Sequence, residues 1–361
     1  MAEDDKDINR AMRHAAAFFS AATLATNLSG CAVRRDDTQT SSVRSVSLSV
    51  LNNRPFDSAE IQDNFRMAML PIVYERALKA GHAPESAAAL LRARLPETTD
   101  MSVLRHQNST AVVAFDRKRQ HITVAYDATD ELADMLGGLK FWEIPHALGG
   151  GVHSGVAEAQ FFKDGQERTL KSQVAARVNG FAAMAGDQAV TLGFTGFSRG
   201  GAQATAGAAD WMLAQAVNPG TTKPALVSLV TFGALAFGNE RFIDSFAQMA
   251  ASQRVDAWRV VAGDDAVPKH LTGEAWYGKV KYGHVGTPVY LLPDALGATG
   301  EVRIGASLTA EERDRLSKTN WHEVNRYADM LGVPDAKITD IVPPPTNPRL
   351  EPGNHKSPAP R

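Results

Sequence analysis

Cysteine and unbalanced charge are the two things that this sequence most clearly lacks. Cys31 is the single cysteine among 361 residues, so an internal disulfide and a zinc site built from several cysteines are both excluded. Lys and Arg number 38 against 40 Asp and Glu, which gives a formal net charge of -2, and the basic residues are scattered along the chain. Because binding to a phosphate backbone requires clustered positive charge, we expect no nucleic acid partner.

Long hydrophobic runs are also scarce, although hydrophobic residues make up 44% of the chain. That content is enough to bury a sizeable core, and no segment after residue 31 is long and apolar enough to cross a membrane. Composition divides the chain into a signal-like segment at 1–31, a polar linker at 32–50, one large domain at 51–340 and a proline-rich tail at 341–361.

The N-terminal segment resembles a bacterial lipoprotein signal. A short basic start and an apolar run at Ala15–Thr26 precede Leu28-Ser29-Gly30-Cys31, the box at which such signals are cleaved and the cysteine is lipidated. The resemblance implies an acyl anchor in the bacterial cell envelope, and Ala32 is compatible with sorting to the outer membrane. The acidic start MAEDDKD favours the alternative, an amphipathic N-terminal helix in a cytoplasmic or secreted protein, unless translation begins at Met12.

Apolar periodicity in the domain alternates between helical and strand-like spacing. It predicts a helix that is capped by Ser58 and ends near Gly81, a second helix at Pro84–Leu95, and a hairpin of Thr110–Phe115 with His121–Tyr126. The later elements alternate, with strands at Ala189–Phe194, Leu226–Phe232 and Ala257–Val261 and helices at Leu170–Ala185, Gln203–Val217 and Asn239–Ala251. This alternation favours an α/β fold with a largely parallel central sheet and helices on both faces.

The segment Gly196-Phe197-Ser198-Arg199-Gly200 fits the nucleophile-elbow pattern G-x-S-x-G. A strand-like run precedes it and an alanine-rich helical run follows, which is the context that the pattern requires. In such an elbow the glycines leave room for a tight turn that pushes the serine hydroxyl out above the sheet. Ser198 is therefore a candidate nucleophile, and the alternative is a serine in a glycine-rich loop.

A serine nucleophile requires a histidine that takes its proton and a carboxylate that orients the histidine. In this fold the three residues follow each other along the chain in the order Ser, Asp, His. Asp264 and Asp265 come directly after a predicted strand, where acids face the site. The downstream histidines are His270, His284, His322 and His355.

Seven motifs follow each other from about Ala111 to Gly332: AVVAFDRKRQHITVAYDAT, VHSGV, GFSRGGAQA, TFGALAFGNERF, WRVVAGDDAVPKH, YGHVG and NWHEVNRYADMLG. In sequence and in order they resemble the motifs of the class 3 lipase family, the fungal-type triacylglycerol lipases and their relatives. The resemblance implies an α/β-hydrolase fold and cleavage of lipid carboxylic esters through an acyl-serine intermediate, with no metal or cofactor.

Three catalytic roles follow from the resemblance. It implies Ser198 as the nucleophile, Asp265 as the orienting carboxylate, because it precedes Ala-Val-Pro, and His322 as the base, because a tyrosine follows it. Asp264 is then an ordinary loop acid, and an exchange of roles between Asp264 and Asp265 remains open. His284 matches a structural histidine of the family and remains the alternative base. His153, in VHSGV, is expected to be a buried hydrogen-bonding residue.

The resemblance also implies two donors for the oxyanion of the acyl-transfer intermediate. One is the backbone N–H of Arg199, and the other is Thr129, through its N–H and hydroxyl. The sequence departs from the family's pattern at this place, since Asp127-Ala128 stand where the family has Arg-Gly, and Phe197 and Arg199 stand where it commonly has His and Leu. Arg199 would pair with an anionic head group, with Asp127 or with Asp264.

A run of apolar residues follows Thr129 at helical spacing: Leu132, Met135, Leu136 and Leu139. Such spacing is typical of a helix packed on a core. The position in the family implies instead a lid, an amphipathic helix that covers the site in water and exposes its apolar face to lipid.

The sequence thus predicts a lipid or ester as substrate and, through Cys31, a membrane surface as partner. The implied substrates include triacylglycerols, phospholipids and shorter esters. One rival is a surface lipoprotein that keeps the hydrolase fold as a binding module, against which the intact set of Ser198, Asp265 and His322 argues. Another is a toxin-like phospholipase delivered to other cells, in which the N-terminal signal would go unused.

Overall fold

The computed structural model describes residues 55–128, 142–161, 168–219, 224–269, 282–294, 299–317 and 319–337. The signal-like segment with Cys31, the polar linker, Thr129, the four predicted lid positions, His270 and the proline-rich tail with His355 lie outside the described residues.

In chain order the strands of the described residues are β1 (Thr99–His106), β2 (Ser109–Asp116), β3 (His121–Tyr126), β4 (Glu143–Pro145), β5 (Gly151–His153), β6 (Thr191–Phe197), β7 (Ala225–Phe232), β8 (Asp256–Ala262), β9 (Thr287–Pro293) and β10 (Thr299–Ile304). Eight of these form a mixed central sheet in the order β1-β2-β3-β6-β7-β8-β9-β10, while β4 and β5 pair separately. Strands β3, β6, β7, β8 and β9 are mutually parallel, and β1, β2 and β10 add antiparallel edges. The predicted, largely parallel sheet is confirmed for this middle part.

Helices of the described residues cover both faces of this sheet, as predicted. They are α1 (Ser58–Lys79), α2 (Pro84–Arg92), α3 (Ser154–Phe161), α4 (Leu170–Met184), α5 (Arg199–Val217), α6 (Glu240–Gln253), α7 (Ala310–Leu316) and α8 (Val324–Met330), with single 3-10 turns at Val267–Lys269 and Pro334–Ala336. Residues of α3 to α6 form one large hydrophobic core with the sheet, and α1 and α8 form a second core on its other face. The folded chain is thus a three-layer α/β structure.

The alternation of residues along β8 shows how one strand serves both cores. Ala257 belongs to the core under α3 to α6, whereas Trp258 and Val260 belong to the core under α1 and α8. All seven residues of this strand are buried. A central strand with two covered faces reads as a continuous apolar run, which is why β6, β7 and β8 were predictable from sequence.

The prediction that Ser58 caps the first helix is wrong. Asp57 is the N-cap, because its backbone is extended at φ -110° and its side chain accepts hydrogen bonds from the N–H groups of Ala59 and Glu60. Ser58 is already the first helical residue. The second helix is also shorter than predicted, since it ends at Arg92, whereas α5 begins four residues earlier than predicted, directly after Ser198.

The cap assignment predicts a difference between two adjacent alanine substitutions. Asp57→Ala should lower the free energy of unfolding by about 1 kcal/mol, because it removes the acceptor of two N–H groups of α1. Ser58→Ala should change it by less than about 0.5 kcal/mol, the usual range for surface positions. Urea unfolding of both variants measures this, and the opposite order would contradict the assignment.

Candidate active site

Ser198 occupies a sharp turn between the end of β6 and the start of α5. Its backbone lies at φ 56° and ψ -123°, a conformation that non-glycine residues rarely adopt. Strain of this kind persists only where the surrounding structure enforces it, and it clusters at functional sites. The hydrogen bond from Ser198 N to the Phe232 carbonyl, 2.9 Å long, ties the turn to the end of β7.

The two glycines of the elbow, Gly196 and Gly200, lie where the neighbouring backbone leaves no room for a side chain. A Cβ atom at Gly196 would overlap the backbone of Gly200, and a Cβ atom at Gly200 would overlap the carbonyl of Tyr126. The first turn of α5 therefore packs backbone against backbone on both β6 and the end of β3. The predicted strand-turn-helix context of the elbow pattern is present in the structure.

Ser198, His322 and Asp265 form one hydrogen-bonded chain. The distance from Ser198 Oγ to His322 Nε2 is 2.9 Å. His322 Nδ1 lies 2.9 Å from Asp265 Oδ2 and 3.1 Å from Asp265 Oδ1. The structure thus brings together the three residues to which the sequence assigned nucleophile, base and acid, although 124 positions separate the serine from the histidine. Geometry of this kind is that of a serine nucleophile, its base and the carboxylate that fixes the base's tautomer.

Asp265, rather than its neighbour Asp264, is the acid that contacts the histidine. The carboxylate of Asp265 is fully buried, and besides His322 it accepts hydrogen bonds from Val267 N at 2.9 Å and from the Tyr327 hydroxyl at 2.7 Å. Asp264 instead forms an ion pair with Lys269. A buried carboxylate with donors on both oxygens is held in one orientation, which the histidine then follows.

Two aromatic rings hold the His322 ring in position, one of them by direct contact. Phe197 stacks on the His322 ring with a centroid distance of 4.9 Å and an interplanar angle of 24°. Tyr327 meets Phe197 edge-on at 5.2 Å. Burial, followed by the nearby charge of Asp265, raises the pKa of Tyr327 well above its ordinary value. The hydroxyl therefore stays protonated and donates a hydrogen bond to Asp265. Phe197, one of the departures from the family's pattern, therefore has a packing role at the base.

The other candidate histidines lie away from the nucleophile. His284 donates from Nε2 to the Pro268 carbonyl at 2.6 Å, and burial together with the charge of Arg259 lowers its pKa to about 3. This bond holds the turn that follows Asp265. His153 is fully buried against the Tyr282 ring, and burial lowers its pKa to about 4. Both rings are neutral at physiological pH, as befits structural residues.

The side chain of Arg199 forms an ion pair with Asp127. Its guanidinium lies 2.9 Å from Asp127 Oδ2 and donates to the Asn108 carbonyl at 2.9 Å. Sequence reasoning left three partners open for this charge, and the structure places it on Asp127. Asn108 was missed altogether, because a backbone carbonyl carries no sequence signal. Thr129, the other predicted oxyanion donor, lies outside the described residues.

The described residues also bear on metal binding and on membrane spans. Over the described ranges, no group of three or more His, Cys, Asp or Glu side chains is placed to hold a metal ion. Among the helices of those same ranges, none combines the length and the apolar character that a membrane span needs.

The fold and this site define a serine hydrolase of the α/β-hydrolase type. Residues 120–274 match the model of the class 3 lipase family, and the resemblance drawn from the motifs is thereby confirmed. The match covers less than half of the chain, and over that part the chain is similar to this family. No curated protein sequence matches the chain significantly.

Solved structures of similar fold are fungal lipases. A Rhizomucor miehei lipase in complex with its propeptide is 18% identical, with 85% of this chain and 92% of that chain covered and a TM-score of 0.52. A lipase from Rhizopus microsporus var. chinensis is 18% identical over 76% of this chain and 87% of that chain, with a TM-score of 0.50. A triacylglycerol lipase described as having a serine protease triad is 17% identical over 79% and 99%, with a TM-score of 0.51. At such identities the likeness shows the fold.

The two adjacent acids allow a matched test of the site. Asp265→Asn should lower kcat on the order of 10³-fold or more, because the amide no longer holds the tautomer and orientation of His322. Asp264→Asn should remain within about threefold of the unsubstituted enzyme, because Asp264 pairs with Lys269 rather than with His322 and the amide keeps an oxygen acceptor for that lysine. Steady-state kinetics on folded protein, checked by circular dichroism, measures both. Loss of activity in Asp264→Asn alone would exchange the two roles.

Proposed function

We propose that Ser198, His322 and Asp265 are the catalytic triad of an enzyme that hydrolyses carboxylic esters of lipids through an acyl-serine intermediate. The observation that carries the proposal is the continuous hydrogen-bonded chain from the Asp265 carboxylate through the imidazole to Ser198 Oγ, on a strained elbow. The match to the class 3 lipase family supplies the substrate class.

The proposed reaction has two steps. Ser198 Oγ attacks the ester carbonyl carbon while His322 Nε2 takes the hydroxyl proton, and the carbonyl oxygen becomes an oxyanion. When this intermediate collapses, the bond to the leaving alcohol breaks and the imidazolium returns its proton to that alcohol. Water then attacks the acyl carbon while His322 takes the water's proton, the bond from that carbon to Ser198 Oγ breaks, and the imidazolium returns the proton to Ser198 Oγ as the fatty acid leaves. Asp265 stabilises the imidazolium in both steps and keeps its negative charge throughout.

Stabilisation of the oxyanion is assigned to two groups. The N–H of Arg199 is the first of α5, and the first N–H groups of a helix have no acceptor within the helix and carry its positive dipole end. Thr129 is proposed as the second donor. The segment with Leu132, Met135, Leu136 and Leu139 is proposed as a lid over the acyl site, because its apolar residues recur at helical spacing and because it follows Thr129, where the resembled family has its lid.

Hydrolysis of p-nitrophenyl esters of graded acyl length tests the proposed substrate. We expect hydrolysis that increases from short to medium or long acyl chains, because each methylene buried in an apolar site adds about 0.8 kcal/mol of binding. A profile that declines steadily beyond the shortest ester would make the protein an esterase of small substrates. Absence of hydrolysis at every length would favour the rival binding module.

Removal of the nucleophile and of the base tests the proposed roles of Ser198 and His322. Ser198→Ala and His322→Ala should each lower kcat on the order of 10³-fold or more, and the double variant should be no worse than either, because triad residues act as a unit. Activity per folded molecule is the measurement. Inactivity of His284→Ala with a functional His322→Ala would show that the base was assigned to the wrong histidine.

We further propose that Cys31 is a lipidation site that anchors the domain in the bacterial cell envelope. Support comes from the Leu-Ser-Gly-Cys box with its preceding apolar run and from the polar tether that follows. Several acyl chains at one residue anchor a domain firmly, because burial of each methylene contributes roughly 0.8 kcal/mol.

The anchoring proposal predicts a defined mature N-terminus. Protein from cells that express the full chain should begin at an acylated Cys31 and sediment with membranes, whereas Cys31→Ser should accumulate as uncleaved precursor with its hydrolase activity intact. Mass spectrometry of the purified N-terminus measures this. An unmodified chain that begins at Met1 or Ala2 in the soluble fraction would contradict it.

A further inference from the structure

The end of β3 and the first turn of α5 are in direct backbone contact. At Gly200 a Cβ atom would overlap the carbonyl of Tyr126 and would come within 2.7 Å of the carbonyl of Asp127. The N–H of Arg199, the proposed oxyanion donor, belongs to this first turn of α5. Any movement of β3 against α5 therefore changes where that donor points.

An ion pair spans the same contact. Asp127 follows β3 directly, and its Oδ2 accepts from the Arg199 guanidinium while its Oδ1 accepts from the N–H of Thr110 at 3.0 Å. The same guanidinium nitrogen also donates to the Asn108 carbonyl. Asp127 is 4% exposed, and the Arg199 side chain is 15% exposed. One buried carboxylate thus connects the elbow to both strands of the adjoining hairpin, β2 and β3.

We infer that Asp127 and Arg199 are a positioning pair that fixes the elbow against the end of β3 and thereby aims the backbone N–H of Arg199 at the oxyanion. The inference rests on the proposed function, whose oxyanion donor it concerns. It also gives the departure from the family's Arg-Gly a reason, because the acid that follows β3 here pairs with a basic residue of the elbow. Arg199 is consequently engaged within the protein and is not the receptor of an anionic head group.

The charges around Asp127 add a dependence on pH. Burial raises the pKa of Asp127 to about 6, although the Arg199 charge and the Thr110 N–H lower it, and Glu75 of α1 adds a further increase. Glu75 itself is paired with Arg105 of β1. Asp127 is therefore ionised above about pH 6 and becomes protonated below it, so the pair weakens on the acid side.

Kinetics of four variants test the pair. Asp127→Ala and Arg199→Gln should each lower kcat about 10- to 100-fold with KM within about threefold, because a donor misplaced by 1 Å costs on the order of 10²-fold and acts on the transition state. The kcat of the double variant should be no lower than that of the less active single variant, since each single substitution already removes the same ion pair. Asp127→Asn keeps one oxygen acceptor and should therefore retain more activity than Asp127→Ala. Because an asparagine does not titrate, the decrease of kcat/KM that protonation of Asp127 causes in the wild type near pH 6 should be absent from this variant.

Arg66→Gln is the matched control. It removes the ion pairs that Arg66 of α1 forms with Asp63 of the same helix and with Asp335 of the C-terminal 3-10 turn, whose side chains are partly exposed, and activity should stay unchanged. Wild-type kcat in folded Asp127→Ala, or losses that multiply in the double variant, would overturn the positioning role.

Hydrogen–deuterium exchange of the peptide at residues 196–203 gives a readout that does not depend on activity. Exchange of these amides should be faster in Asp127→Ala than in the wild type and unchanged in Arg66→Gln. Equal exchange in all three proteins would contradict the pair. If the wild type hydrolyses no ester but exchange is still faster in Asp127→Ala than in the wild type, the proposed function would be overturned. The structural role of the Asp127–Arg199 pair in fixing the elbow would remain.

Discussion

The strained turn at Ser198 is the constraint on which the rest of this site depends. Its positive φ directs the hydroxyl away from the sheet and toward His322 Nε2, 2.9 Å away, while the chain continues directly into α5. The strain costs on the order of 1–3 kcal/mol, so the surroundings have to enforce it. They do so through close backbone packing at Gly196 and Gly200 and through the hydrogen bond from Ser198 N to β7.

The order of the parallel strands brings the partners of the serine to the same edge of the sheet. Ser198 follows β6 and Asp265 follows β8, and β7 lies between these two strands, so both residues emerge at carboxyl ends. His322 comes from the segment that precedes α8, whose Tyr327 binds the same carboxylate. Buried aromatic packing of Phe197 against His322 completes a base held on two sides. Each support is apolar or fully hydrogen-bonded, which suits a water-poor acyl-transfer site.

Sequence alone predicted the middle of the sheet, the helices beside it and the three residues that the structure joins by hydrogen bonds, because buried strands and the elbow have strong local patterns. The edge strands β1 and β10 were not predicted, since a strand with a solvent-facing side mixes polar and apolar residues. Strand β9, the inner neighbour of β10, was not predicted either. The cap at Asp57 was missed because Asp57 and Ser58 are equally good capping residues, and only the backbone angles decide between them. The pairing of Asp127 with Arg199, 72 positions apart, depends on how β3 meets α5, which no local pattern contains.

Covalent labelling with a fluorophosphonate tests the central claim most directly, because such a reagent reacts with a serine only when a base has activated it. The account predicts one adduct per chain, located at Ser198 by mass spectrometry of the peptides, and no adduct on folded His322→Ala protein. An unlabelled native protein, or an adduct at another serine, would contradict the assignment of Ser198 and His322 as nucleophile and base.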